Sequence, residues 1–174
     1  MQKATATSSW ALPFGGGAGR DRRLPQAERI LVPVRGTAAD QHAVLLATEI
    51  ARQTKGTLYV VYIIEVPRTL PLQASPEEEL DRAEAVLAEM EQVCERQHVK
   101  TETELLQARA AGPAVVEEAV ERGVDLVIMG MNHKRRYGEF TLGEAVPYVL
   151  EHAPCPVWVL REAVPREAEA QEDR

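Results

Sequence analysis

The chain has 174 residues, with 20 Lys and Arg against 27 Asp and Glu, a formal net charge of −7 and a pI near 5.2. An acidic chain of this kind lacks the extended basic face with which general nucleic-acid-binding proteins displace counterions from phosphates. No apolar run reaches the roughly 18 residues of a membrane-spanning helix, and the N-terminus lacks the pattern of a secretory signal. We therefore expect one cytoplasmic domain with no nucleic-acid partner and no membrane insertion.

Both ends of the chain have compositions that are typical of tails. Residues 1–28 are rich in Ala, Thr, Ser and Gly, and their glycine run lacks the preceding strand and following helix of a nucleotide-binding loop. Residues 162–174 are charged and Ala-rich, without an apolar stripe. We predict a disordered N-terminal tail over 1–28, a folded domain over 29–161 and a flexible charged tail over 162–174.

The first half of this domain alternates strand and helix patterns. Residues 30–34 form a short apolar strand, and residues 38–54 carry small and apolar residues on one helical face. Gly56 is placed to end that helix, and residues 58–64 are almost entirely apolar, as in a strand that is covered on both faces. The Ser-Pro-Glu-Glu sequence from Ser75 then predicts the start of a second helix.

The second half continues the alternation. Residues 99–106 alternate charged with apolar or Thr side chains, which predicts a strand with one solvated side near a sheet edge. A helix between Gly112 and Gly123 precedes a buried strand at residues 124–129, and a further helix precedes a last strand at residues 156–160. The apolar positions predicted for these two helices are Val116, Ala119, Val120, Val146, Val149, Leu150 and Ala153.

The resulting order, β-α-β-α-β-α-β-α-β, predicts an α/β fold. With right-handed crossovers it forms an open, doubly wound parallel sheet of five strands with helices on both faces. Ligands bind to such sheets beyond the C-terminal ends of the strands, where the winding reverses. Two loops are candidates for the ligand site: residues 35–37 after the first strand, and the loop from Gly130 to Gly143 after the fourth.

The second loop contains a basic run, Lys134, Arg135 and Arg136, directly after His133. One interpretation is a solvated surface loop, and the other is a site for an anion or a nucleotide phosphate. The helix that follows Gly143 would also offer its free N–H groups to an anion.

The sequence contains no pattern for a metal site or for covalent catalysis. Cys94 and Cys155 lie in apolar patterns and are interpreted as buried, reduced thiols. The four histidines lack ligand-like spacing, and we find no P-loop, no nucleophile elbow and no carboxylate directly after the first strand. We therefore predict no metal and no catalytic residue, and enzymatic activity stays unassigned.

Three segments of the sequence resemble the universal stress protein family: residues 30–34, 124–130 and 152–159. The resemblance covers about residues 28–161. It implies a strand order of 3-2-1-4-5 and a homodimer, joined through the last strand at Val157, Trp158 and Val159. Residues 35–37 and 137–144 also resemble the versions of this domain that are appended to amino-acid permeases.

Members of this family that bind ATP carry a glycine, two residues, a glycine, nine residues, and then a glycine followed by Ser or Thr. Gly130 and Gly143 match the first and last glycines at the preserved spacing. However, His133 stands at the second glycine position, Glu144 at the hydroxyl position, and Arg35 where an acidic residue usually follows the first strand. An imidazole fills space that a phosphate loop needs, and an ionised carboxylate cannot donate a hydrogen bond to phosphate. These departures predict a degenerate nucleotide site.

Pro147 predicts where the helix after this loop begins. Its ring would clash with a helical carbonyl four residues earlier, so the helix should start near Gly143 or Glu144. We then expect the Glu144 carboxylate to interact with the free N–H groups of that helix, in the place of a phosphate. We also hypothesise an ion pair between Arg35 and Glu144, the alternative being that both side chains face water.

Three functions stay open at this point. The first is a small dimeric stress-response or regulatory protein without a tight ATP site. The second is a member that binds ATP or another adenine nucleotide, with at most weak hydrolysis, in which the resemblance implies that strand residues line an adenine pocket. The third is an accessory module that docks on a membrane transporter or another protein. The residues that we predict for the site are Pro33, Val34, Arg35, Ile63, Met129, Gly130, His133, Arg135, Arg136, Gly143 and Glu144.

Overall fold

A computed structural model describes residues 26–72, 76–132, 135–136 and 139–161 of the chain. The strands of its main sheet are β1 (Arg29–Val34), β2 (Thr57–Glu65), β3 (Lys100–Ala108), β4 (Leu126–Met131) and β7 (Val157–Arg161). The two-residue strands β5 (Arg135–Arg136) and β6 (Glu139–Phe140) form an antiparallel pair in the loop after β4. The helices are α1 (Ala38–Thr54), α2 (Glu77–Arg96), α3 (Ala111–Glu121) and α4 (Ala145–His152).

The main sheet is parallel throughout, and its strand order is β3-β2-β1-β4-β7. This order confirms the predicted doubly wound α/β fold with the arrangement 3-2-1-4-5, since β7 is the fifth strand of the main sheet. It also confirms that β3 lies at a sheet edge. The β5–β6 hairpin was not predicted, because two-residue strands leave no periodic signal in a sequence.

Two apolar layers cover the sheet, one on each face. In β1, Ile30, Val32 and Val34 pack in the layer that contains the buried residues of α1 and α2. Leu31 points the other way and packs with the buried residues of α3 and α4. Alternation of this kind places a complete hydrophobic core on both sides, which is why the central strands read as continuous apolar runs.

Two predicted core positions are instead exposed. Val120 of α3 is 61% exposed and Leu150 of α4 is 52% exposed, whereas their neighbours Ala119 and Val149 are fully buried. Adjacent helical residues differ by about 100° around the axis, so only one of each pair can face the sheet. The helices themselves approach closely, since a Cβ on Gly112 would lie 2.9 Å from Cβ of Tyr148.

The packed part of the domain includes the first described residues. Ala27 is 3% exposed within the α1–α2 core, and its carbonyl accepts a hydrogen bond from Thr54 Oγ1 at 2.7 Å. The carbonyl of Glu28 accepts another from the N–H of Thr57 at 2.6 Å. The predicted tail of residues 1–28 therefore overlaps the domain by three residues, and its remainder lies outside the described residues, as does the predicted tail of 162–174.

None of the helices within the described ranges combines the length and apolarity needed to cross a membrane.

Candidate functional site

A pocket of about 200 Å³ opens where the C-terminal ends of β1, β2 and β4 meet the start of α4. β1 and β4 are neighbours in the sheet, and the chain winds to opposite faces on either side of them, which makes this the switch point of the fold. The predicted site residues that line the pocket are Pro33, Val34, Arg35, Ile63, Met129, Gly130, Gly143 and Glu144. Of the other predicted residues, His133 lies outside the described part of the chain, and no side chain is described for Arg135 and Arg136.

The wall of the pocket combines apolar side chains with the loop that leads into α4. Pro33, Ile63, Val115 and Met129 supply side chains from the strands and α3. Residues 141–146, which lead into and begin α4, form another part of the wall. This combination is typical of a pocket that buries an apolar ring and leaves a polar or charged group near solvent.

The turn between β1 and α1 is closed by the carboxylate of Asp40. Its Oδ2 accepts hydrogen bonds from the N–H of Arg35 at 2.9 Å and the N–H of Thr37 at 3.0 Å. Thr37 Oγ1 in turn accepts from the N–H of Asp40 at 3.2 Å, which completes a capping box at the start of α1. Asp40 is only 4% exposed, and it contributes to the wall of the pocket.

Asp40 supplies a carboxylate that the sequence analysis did not identify. No carboxylate stands directly after the first strand, because Arg35 occupies the position where the family usually has an acidic residue. The structure places a carboxylate at the end of β1 after all, but it is supplied by the first turn of α1. The spacing of Thr37 and Asp40 is a capping-box signal that could have revealed this contact.

Gly130 is needed for packing between β4 and α1. A Cβ at this position would lie 2.5 Å from the carbonyl carbon of Ala39 and 2.6 Å from the nitrogen of Asp40. Those are backbone atoms in the first turn of a helix, so they cannot move aside as a flexible side chain can. The first glycine of the sequence pattern thus holds the end of β4 directly against the N-terminus of α1.

Asn132, which follows β4, was missed in the sequence and lies in the same pocket. The residue is half-buried, and its Oδ1 is buried without a hydrogen-bond partner among the described residues. Buried polar atoms are nearly always hydrogen-bonded in native proteins, so an atom of this kind calls for an explanation. No sequence signal identifies it, because burial of this oxygen depends on how β4 packs against α1.

α4 begins at Ala145 with Glu144 as its N-cap residue, close to the start that Pro147 predicted. Gly143 adopts a φ of +71°, and no atom lies within 4 Å of a Cβ built there, so the loop is open at this point. Its N–H donates to Thr141 Oγ1 at 3.2 Å. The backbone N–H groups at the start of α4 consequently border an accessible part of the pocket.

The two expectations for the Glu144 side chain were wrong. It makes no capping hydrogen bond to α4, because the backbone of Glu144 is already helical (φ −98°, ψ −35°), whereas capping side chains need an extended backbone. Among the ion pairs of the described residues, none joins Glu144 to Arg35. Both residues are exposed, where a pair gains little over separate hydration.

The other candidate groups lie away from this pocket. Cys94 is buried and Cys155 is half-buried, and both are free thiols. Burial raises the pKa of Cys155, and the nearby negative charge of Asp125 raises it further. Within the described ranges, no cluster of three or more His, Cys, Asp or Glu residues could hold a metal ion.

Comparison with known proteins agrees with this fold. The family model described as "Universal stress protein family" matches residues 26–161. A universal stress protein from Methanocaldococcus jannaschii is 27% identical over 140 residues, which cover 77% of this chain and 82% of that protein.

Two solved structures from Archaeoglobus fulgidus share the fold. One universal stress protein superposes with a TM-score of 0.65 at 21% identity, covering 76% of this chain and 97% of that chain. A second structure, a universal stress protein in complex with dAMP, gives a TM-score of 0.61 at 19% identity, covering 76% and 96%. The family model spans nearly all of the described chain, and the protein therefore belongs to the universal stress protein family.

Proposed function

We propose that this universal stress protein is a non-catalytic, dimeric regulatory module whose degenerate pocket binds an adenine nucleotide weakly and without preference for a triphosphate. The observation that carries this proposal is the pocket itself. Its apolar side chains suit a flat base, and the start of α4 suits a single anionic group.

The apolar part of the wall supports binding of the base. Met129 is 5% exposed, Ile63 is 6% exposed, and both contribute to the pocket wall next to Pro33. A purine ring placed there would remove apolar surface from water, which stabilises the complex by roughly 25 cal/mol per Å² of buried apolar area. Burial of the base would therefore contribute to the favourable free energy of binding.

The start of α4 supports one phosphate but disfavours three. The N–H groups of Ala145 and Val146 are at the helix N-terminus, and no side-chain cap occupies them. The exposed carboxylate of Glu144 borders the same space, and its repulsion grows with the charge of the ligand. The volume of about 200 Å³ is also below the roughly 300–1,000 Å³ of pockets that enclose larger ligands.

The dAMP complex of the Archaeoglobus fulgidus protein supports an adenine monophosphate as the first ligand to test. The two carboxylates that line the described pocket do not suggest hydrolysis. Asp40 is engaged by two backbone N–H groups, and Glu144 points to solvent at the opening. We therefore propose a binding role without hydrolysis.

The proposed dimer uses the edge strand β7. Because Pro156 O accepts a hydrogen bond from Val127 N, the backbone groups of Trp158 face β4, and those of Val157 and Val159 face the outer edge. The side chains from Val157 to Leu160 are only half-buried. A second copy of the strand could pair with this edge and cover those side chains. Docking on a transporter stays a prediction, since the relatives described above do not test it.

Thermal melting of the full chain tests the nucleotide proposal. A ligand that binds only the folded state at ten times its Kd stabilises that state by about 1.4 kcal/mol, which corresponds to a melting temperature higher by about 3–5 °C. We expect such a shift with millimolar AMP, a shift no larger with Mg-ATP, and a smaller one with GMP. Equal shifts with AMP and GMP would indicate that only the phosphate is bound, and no shift with any adenine nucleotide would refute the proposal.

A further inference from the structure

We propose that Asp40 and Asn132 form a pair of hydrogen-bond acceptors for the ribose hydroxyl groups of the ligand, so that the site prefers ribonucleotides to deoxyribonucleotides. This inference rests on the proposed function, because it assigns a part of the same pocket. It concerns Asp40 and Asn132, neither of which is a glycine or hydroxyl position of the family pattern or the position directly after β1.

Asp40 brings a buried negative charge to the pocket. The residue is only 4% exposed, and a carboxylate in such a position needs hydrogen-bond donors, because burial of an unsolvated charge is strongly unfavourable. The hydrogen bonds that this carboxylate accepts from Arg35 N–H and Thr37 N–H both end on Oδ2. Oδ1 accepts no hydrogen bond from the described residues, so it is available to a ligand hydroxyl.

Asn132 brings the second acceptor. Its Oδ1 is buried and has no partner in the described part of the chain, and the residue lines the pocket. A hydroxyl donor in the pocket would satisfy this oxygen. Without one, the protein carries the unfavourable free energy of a buried polar atom that has lost its contact with water.

The position of the two residues points to the sugar. The end of β4 packs against the backbone of Ala39 and Asp40 at Gly130, so Asn132 follows that contact by two residues. Asp40 and Asn132 line the same pocket as the apolar residues Ile63 and Met129 and the open loop at Gly143. In a nucleotide the sugar separates the base from the phosphate, and its vicinal hydroxyls are two donors at adjacent positions.

Two variants of the full chain test the roles of these residues. In Asp40→Asn, the amide oxygen can still accept from Arg35 N–H and Thr37 N–H, so the turn is kept while the charged acceptor is lost. Asn132→Leu replaces the second acceptor by an apolar side chain of similar size. This variant tests the sugar site independently if Asp40→Asn fails to fold. Asp125→Asn is the matched control. Asp125 Oδ2 also accepts hydrogen bonds from two backbone N–H groups, those of Glu28 at 3.0 Å and Arg29 at 2.9 Å. This residue lies at the opposite end of the strands, away from the pocket.

Isothermal titration calorimetry with AMP, 2′-deoxy-AMP and IMP gives the readout. We expect the unmodified chain and Asp125→Asn to bind AMP about tenfold more tightly than 2′-deoxy-AMP, since a charge-assisted hydrogen bond is lost with the hydroxyl. Asp40→Asn and Asn132→Leu should each lower that ratio to about twofold. IMP, which lacks the adenine amino group but keeps both hydroxyls, should bind within about threefold of AMP.

Equal affinities for AMP and 2′-deoxy-AMP in the unmodified chain would overturn this inference while leaving the proposed function intact. An unchanged tenfold ratio in both variants would overturn it as well. A large loss with IMP, in the absence of a loss with 2′-deoxy-AMP, would mean that the acceptors bind the base. If no adenine nucleotide binds at all, the proposed function fails, and the assignment of the sugar site fails with it.

Discussion

The carboxylate of Asp40 accepts a hydrogen bond from the backbone N–H of Arg35, at a distance of 2.9 Å between the nitrogen and Oδ2. Arg35 directly follows the central strand β1 and Asp40 lies in the first turn of the following helix, so this contact fixes the geometry of the β1–α1 turn. Arg35, Thr37 and Asp40 of the same turn line the pocket. The contribution of this turn to the stability of the protein can therefore be measured without any ligand.

Removing either side chain of the capping box should destabilise the protein, and the loss should be larger for Asp40 than for Thr37. Thr37→Ala loses the cap of α1 and should lower the free energy of unfolding by about 1 kcal/mol. Asp40→Ala leaves two backbone N–H groups without their acceptor and should cost about 2–4 kcal/mol. Urea denaturation measures both values. His42→Ala, at an exposed position in the same helix, should change stability by less than about 0.5 kcal/mol, and an equal loss in all three variants would contradict the role of the turn.

The two glycines of the pocket should respond differently to alanine. Gly130→Ala places a Cβ within 2.6 Å of the α1 backbone, so we expect a loss of about 3 kcal/mol or more in the free energy of unfolding. Gly143→Ala meets open space and should lose only about 1–2 kcal/mol, from its φ of +71°. Chemical denaturation of both variants tests this order. The reverse order would show that β4 and α1 do not pack as described.

Replacing Glu144 should strengthen the binding of charged nucleotides. The carboxylate borders the phosphate end of the pocket, but it is exposed and screened by solvent, so Glu144→Ser should improve Mg-ATP affinity by about tenfold at low salt. The gain for AMP should be smaller, because AMP carries less charge. Glu151→Ser, on an exposed position of the same helix, is the control, and an equal gain there would mean that only net charge matters.

Cys155 should be a slow nucleophile at neutral pH. Burial and the charge of Asp125 both raise its pKa, so the thiol stays protonated to a higher pH than a free cysteine and forms less thiolate at pH 7. Peptide mass spectrometry can follow the rate of alkylation against pH. We expect Asp125→Asn to shift the midpoint to lower pH and Glu84→Gln, on the opposite face of the sheet, to leave it in place. Rapid alkylation of Cys155 at pH 7 in the unmodified chain would contradict the described environment.

A proline in β7 should separate the proposed dimer. Val159 directs its N–H to the outer edge, so Val159→Pro removes a donor from that edge without breaking the hydrogen bonds to β4. Sedimentation velocity over a range of concentrations should show a dimer for the unmodified chain and for Val159→Ala, and a monomer for Val159→Pro. A Val159→Pro protein that folds and stays dimeric would exclude this edge as the interface.

The periodic parts of the fold could be predicted from the sequence. The predicted helix over 38–54 coincides with α1, because Thr37 caps its start and the chain turns at Lys55 and Gly56 after its end. The strand order came from the resemblance to a family, since hydrophobic patterns define strands but not their neighbours. The predicted core positions of Val120 and Leu150 were wrong, because two adjacent apolar residues do not reveal which one faces the sheet.

The pocket was predictable only in part. Its position followed from the topology, and Gly130 and Gly143 followed from their spacing. The close approach of Gly130 to α1 and the buried Oδ1 of Asn132 depend on tertiary packing, which a single sequence does not show. The expected interaction of the Glu144 carboxylate with the N–H groups of α4 was wrong for a local reason, because the helical backbone of Glu144 prevents its side chain from capping the helix.

The relative affinity of AMP and Mg-ATP for the full chain, measured by calorimetry in the same buffer, tests the central proposal most directly. We predict that AMP binds at least as tightly as Mg-ATP and that neither Kd falls below about 1 µM. A Mg-ATP complex that is tenfold or more tighter than the AMP complex would contradict a pocket built for one phosphate beside Glu144.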